Sequence, residues 1–123
     1  MIEGIVNEHH EAVVALSVQG SSGQTHEIEA VIDTGYSGML TLPPLMVSEL
    51  DLAFRSSGRA MMANGAEEVF GTYDALVLWD GVMREVEVDA LGPTPLAGMA
   101  LLDQHRLCIV VTDGGQVTIE ASR

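Results

Sequence analysis

Basic residues are scarce in this sequence. Five Lys and Arg stand against eighteen Asp and Glu, a net charge of −13 at pH 7, and a surface of that sign repels nucleic acid and anionic membranes. Neither is an expected partner. The acidity is spread along the chain, with small clusters such as Glu85-Val86-Glu87-Val88-Asp89, which suits a solvated surface better than steering of a cationic substrate. Cysteine is nearly absent as well. Cys108 stands alone, which excludes an internal disulfide and fits a reducing compartment, so the cytoplasm is the expected location. Its place in the apolar run from Leu107 to Val111 predicts a small core hydrophobe. Long apolar runs are missing: that run and Ala12 to Leu16 are the longest, far short of the roughly 20 residues that cross a bilayer as a helix. Met1 to Ile5 carries no basic lead, so no secretory signal is expected. With only 4 Pro beside 13 Gly, nothing suggests disorder or low complexity.

What remains is an ordinary globular composition, 123 residues with 47% hydrophobic and 19% charged. One domain over residues 1–123 is expected, with no linker, repeat or composition shift. Val13 to Val18 and Glu27 to Ile32 read as strands joined by the polar loop Gly20-Ser21-Ser22-Gly23. Pro43 and Pro44 introduce Leu45 to Leu50, whose apolar spacing predicts a short helix. Asn64-Gly65 and Asp80-Gly81 favour the positive φ angles of tight hairpin turns. Gly98 to His105 predicts a second short helix, and Asp113-Gly114-Gly115 turns a last hairpin between Cys108–Val111 and Val117–Ile119. The fold class expected is all-β, with one or two short helices.

Chemistry concentrates where Ala30-Val31-Ile32 runs into Asp33-Thr34-Gly35, with Met39 to Pro43 resuming a strand soon after. A carboxylate where a core strand opens into a loop is partly desolvated, which raises its pKa unless charges or hydrogen bonds oppose this, and a perturbed acid serves general acid/base work. Alone, the tripeptide is equally an ordinary β-turn. Downstream, Pro95-Leu96-Ala97-Gly98-Met99-Ala100-Leu101-Leu102 places a Gly after apolar residues. In these two motifs, with Ala63-Asn64-Gly65 between them, the chain resembles the retropepsin-like aspartic proteases, the family of the retroviral enzymes. The likeness runs from about residue 12 to residue 111.

That resemblance implies a closed β-barrel or sandwich with one Asp-Thr-Gly per chain. It makes Asp33 the catalytic carboxylate and Thr34 the residue that hydrogen-bonds across to a second subunit. Gly35 would let substrate backbone approach, and Gly98 would let the Asp loop pack without a clashing Cβ. Met61, Met62, Ala63, Asn64 and Gly65 would form a mobile flap over substrate. The mechanism needs two carboxylates and the chain supplies one, so the implied working unit is a homodimer whose two Asp33 side chains share a proton and activate a water. No metal and no organic cofactor is implied. Tyr36 replaces the small residue that follows Gly35 in the retroviral and pepsin-like enzymes; its ring could narrow a substrate pocket or offer its hydroxyl to the carboxylates. Met99-Ala100 replaces polar residues that help anchor the dimer. The hairpin over 112–121 extends past the retroviral end point, so a terminal dimer sheet of different construction is expected. The run Asp33 to Pro43 is most similar to a bacterial branch of the family.

Other features read as structural. Methionines 61, 62, 83 and 99 are expected to fill the core rather than shape a substrate pocket. His9-His10, flanked by Glu8 and Glu11, would point to opposite faces of a strand, which is poor chelation. The expected function is aspartic endopeptidase action on a peptide or protein substrate. The alternative is a non-catalytic dimerisation or peptide-binding module on the same fold, and a weaker third is one part of an assembly in which the acidic surface meets a basic partner.

Overall fold

The computed structural model describes residues 1–61 and 63–122, and among these it has ten strands and one helix. Strand β2 (Ala12–Gln19) buries Ala12, Val14, Leu16 and Val18 on one face, the period-two pattern of a sheet with one side in the core. It pairs antiparallel along its length with β3 (Thr25–Ile32), the two joined by the expected turn at Gly20–Gly23. The other edge of β2 is divided. Residues 12–14 pair with β1 (Ile2–Val6) and residues 17–19 with β6 (Glu67–Trp79).

That division closes a barrel. From β3 the ladder continues through β8 (Leu96–Ala97), β4 (Leu40–Leu42) and β7 (Val82–Ala90) to β6, which returns to β2. Leu16, Val18, Ala30, Leu40, Leu42, Val77, Val88 and Ala97 are among its buried residues. Two flaps of sheet extend from the ring: β5 (Ala53–Met61) pairs with β6 alone, and β1 carries β10 (Gln116–Ala121) and then β9 (His105–Ile109). The C-terminal ladder is tied back to the barrel where Trp79 Nε1 donates to His105 Nε2 at 3.0 Å.

Helix α1 (Pro44–Glu49) forms where expected, with Pro at its start and Val47 turned inward. The second helix does not. Residues 98–104 form successive turns: the Gly98 carbonyl accepts from Leu101 and Leu102, and Gln104 then adopts φ 63° as the chain enters β9. One helical turn begins, with Leu102 N on the Gly98 carbonyl, and the left-handed Gln104 ends it before a second can follow. Asp80-Gly81 makes the two-residue turn predicted for it, with positive φ at both positions. The Asn64-Gly65 hairpin is looser: only Gly65 has positive φ, and Asn64 Oδ1 instead accepts from the Ala66 amide.

Several burial expectations are corrected. Cys108 is exposed, because the alternation of β9 turns Leu107 and Ile109 inward and Arg106 and Cys108 outward. Met61, Met83 and Met99 are exposed too; Met39 and Met46 are the methionines packed against the core. Met62 lies outside the described residues. His9 and His10 sit in the β1–β2 turn, organised by Asn7 Oδ1, which accepts from the His9 and Glu11 amides.

Leu40 is fully buried in a strand only three residues long. Leu40→Ala is expected to lower unfolding free energy by about 2–5 kcal/mol, read from the urea midpoint at unchanged slope.

Candidate active site

Asp33 is the first residue beyond β3. Its loop, 33–39, leaves the barrel and returns as β4, but β3 and β4 are not neighbours: β8 lies between them, parallel to β3 and antiparallel to β4. The chain around β8 therefore reads the loop backbone on both sides. Asp33 N donates to Ala97 O at 2.9 Å, Gly98 N to Met39 O at 2.9 Å, Met99 N to Tyr36 O at 2.8 Å and Ala100 N to Gly38 O at 3.0 Å. Contacts this close exclude a side chain at position 98. A Cβ there would lie 2.3 Å from Gly38 O and 2.4 Å from Tyr36 Cδ2.

The Asp33 carboxylate is half-buried, and Oδ1 accepts from the Gly35 amide at 2.9 Å. The Tyr36 amide also donates to the Asp33 carbonyl, at 3.2 Å. This is a turn held by its own first side chain, a common use of Asp, and it leaves the carboxyl group at the surface with Thr34 and Gly35 exposed beside it. At Gly35 a Cβ would approach Asp33 Oδ1 to 3.3 Å. Tyr36 lies half-buried behind them, its ring over Gly98. Asp33, Thr34, Gly35, Tyr36 and Gly98 thus form one patch. Ala63, Asn64 and Gly65 sit at the exposed tip of the β5–β6 hairpin.

The Tyr36 hydroxyl goes to Asp89, not to Asp33. It donates to Asp89 Oδ2 at 2.5 Å, and Thr72 Oγ1 donates to Asp89 Oδ1 at 3.1 Å. Burial, then the Asp89 hydrogen bond and charge, push the Tyr36 pKa far above the ordinary tyrosine range. Sequence reasoning grouped Asp89 with the solvated acids of β7, and Glu85 and Glu87 are indeed exposed. What sets Asp89 apart is its register. It stands opposite Thr72 on β6 and Thr41 on β4, a pairing that spacing along one strand does not reveal.

Two hollows are prominent in the surface. The larger, about 580 Å³, opens among β5, β6, β7 and the 20–23 turn, with Arg55, Asp74, Glu85 and Glu87 in its wall and Asp33 outside it. The smaller, about 270 Å³, reaches Ile32 and Thr34 beside the β1–β2 turn. Size alone would favour the first, but the second borders the Asp33 loop.

No protein-family model matches this sequence, and no curated protein matches it. Solved structures do. The chain is similar to EIAV protease complexed with the inhibitor HBY-793, with TM-score 0.58 and 14% identity over 78% of this chain and 88% of that one. It is also similar to a retropepsin-like aspartic protease from Rickettsia conorii, with TM-score 0.55 and 14% identity over 99% of this chain and 92% of that one. At this identity the likeness is one of fold.

Gly98→Ala is expected to cost about 1–3 kcal/mol, since the clash is with backbone that the barrel holds in place; matched urea curves check it. Because the folded-state pKa of Tyr36 lies above its unfolded value of about 10, its contribution is complete below pH 10 and is lost above it. Tyr36→Phe should flatten the alkaline fall in stability, measured as thermal midpoint between pH 8 and 11.

Proposed function

We propose, taking the retropepsin-like fold as premise, that the chain is an aspartic endopeptidase whose active unit is a homodimer. The observation that carries this is the position of Asp33. It is an acid at the mouth of a closed barrel, anchored by Ala97 and Gly35 and set among exposed backbone, as a group must be that meets a peptide. A single carboxylate cannot both deprotonate a water and protonate a carbonyl. Asp33 paired with its copy can, because two carboxylates a few ångströms apart hold one proton between them. The ionised member takes a proton from water as it adds to the peptide carbonyl, and the protonated member donates to the carbonyl oxygen. Collapse of the tetrahedral intermediate then delivers a proton to the leaving nitrogen. No metal enters these steps.

The shape of one protomer agrees with this reading. A cleft that straddles a twofold axis has only half its walls in each chain, which agrees with Asp33 lining neither of the two hollows of the single chain. The β5–β6 hairpin suits a flap: its outer half is exposed, β5 pairs with β6 alone, and few buried apolar contacts restrain it. Thr34, exposed next to Asp33, would make its bond to the partner copy. Tyr36 would act as a wall of the cleft, since its hydroxyl is spent on Asp89. A reducing, cytoplasmic setting suits the exposed Cys108.

Asp33→Asn removes the charge and keeps the shape. Cleavage of a peptide library from acidic to neutral pH should vanish in this variant, with the thermal midpoint little changed. Retained cleavage would refute the assignment, and a stable wild-type dimer that cleaves nothing at any pH would favour the peptide-binding module.

A further inference from the structure

The sequence contains no lysine, and five arginines are its only strongly basic side chains. Each of the four among the described residues is already engaged. Arg55, Arg59 and Arg106 donate to Asp74, Glu67 and Glu120 at 2.8, 3.1 and 3.2 Å. Arg84 donates to the Leu101 carbonyl at 2.9 Å and lies over the Trp79 ring. The terminal amine goes to Asp80, and Arg123 lies outside the described residues. Carboxylates elsewhere in the described residues have no arginine or amine of this chain to meet them.

Glu85 and Glu87 are two of these, and they face the larger hollow. Its wall sets Asp74, Glu85 and Glu87 against Arg55, over apolar surface from Met39, Leu76 and Val86. Strand register brings the acids together: Asp74 stands opposite Glu87 and Leu76 opposite Glu85, all four on the outward face of the β6–β7 ladder. Arg55 joins them through a bulge. The β5–β6 ladder pairs Phe54 with Tyr73 and Ser56 with Thr72, so Arg55 is an extra residue whose side chain is re-aimed onto Asp74. The Asp74 hydrogen bond and charge, then the charges of Glu87 and Glu85, hold its pKa above the ordinary arginine value, a sign that the three acids act on one place.

Three carboxylates against one guanidinium leave the wall in negative excess. No three His, Cys, Asp or Glu side chains among the described residues are placed to hold a metal ion, so the geometry favours an organic cation over a bare divalent one. The volume, about 580 Å³, falls within the roughly 300–1,000 Å³ of small-molecule pockets. Glu85 and Glu87 leave one strand face at points about 7 Å apart, two residue rises. Two ammonium groups joined by an apolar stem would meet both.

We propose that this hollow is a binding site for a small organic dication, with its ammonium groups on Glu85 and Glu87 and its methylene stem on Leu76 and Met39. The site stands independently of the protease reading.

The probe is cadaverine, a linear diamine, with pimelate as the dianion on the same stem. Titration calorimetry at fixed ionic strength should show saturable binding of one cadaverine per chain and none of pimelate. Glu85→Gln/Glu87→Gln should weaken binding at least about tenfold. Glu27→Gln/Glu29→Gln removes an exposed carboxylate pair of the same spacing from β3, outside the hollow, and should leave binding within about twofold, since distant charges are screened. Ala53 lies in the wall opposite Asp74; Ala53→Phe keeps every carboxylate, fills the hollow and should abolish binding. All five positions are exposed, so the variants should keep the wild-type thermal midpoint. Equal losses in the two Gln variants would show general attraction to an acidic surface and overturn the proposal. Undiminished binding by Ala53→Phe, or a wild type that takes up no cadaverine or takes up pimelate equally, would overturn it as well.

Discussion

The close approach of two backbones at Gly98 is the constraint on which this structure depends. Two residues of strand, Leu96 and Ala97, enter between β3 and β4 and complete the barrel. The chain then turns at Gly98 directly beneath the Asp33 loop, so that four backbone hydrogen bonds bind loop and turn together. The same contact closes the core and aims the carboxylate. A side chain at position 98 would push against the Gly38 carbonyl and the Tyr36 ring, and both lie within the loop that carries Asp33. Tyr36 extends this coupling outward, since its ring covers Gly98 and its hydroxyl reaches Asp89 on β7.

The balance of charge shapes the rest. With eighteen acids and five bases, most carboxylates can only face water, and the strands place them there by alternation: Glu85 and Glu87 outward, Val86 and Val88 inward. On β7, Asp89 departs from this pattern and is half-buried. Its two oxygens are each met by a hydroxyl, which is how a partly buried carboxylate is tolerated without a basic partner. A protein so charged repels its own copies at low salt, so added salt favours any association between them.

Much of this was legible in the sequence. Alternation in β2 and β3, the turns at Gly20–Gly23 and Asp80-Gly81, and an Asp at the end of an apolar strand are local patterns with local causes, and they gave an all-β fold with Asp33 at its opening. Gly98 was legible as a site of close packing through resemblance. The failures have a common origin in tertiary context. Residues 98–104 carry helical spacing, but they make successive turns that end at the left-handed Gln104. Cys108 and the methionines at 61, 83 and 99 look like core residues by hydrophobicity, yet strand register turns Cys108, Met61 and Met83 outward and Met99 lies in the exposed turn after β8. The divided edge of β2, which closes the barrel, and the pairing of Thr72 with Asp89 join segments far apart in the chain.

The central claim, that one catalytic site is made from two copies of Asp33, is tested most directly by mixing. Wild type and Asp33→Asn, unfolded together and refolded in varying ratio at constant total concentration, should cleave a peptide in proportion to the square of the wild-type fraction. Equal parts would then retain about one quarter of the activity, the share of dimers with both acids. A linear decline, with half the activity at equal parts, would show that one Asp33 suffices and would contradict the account.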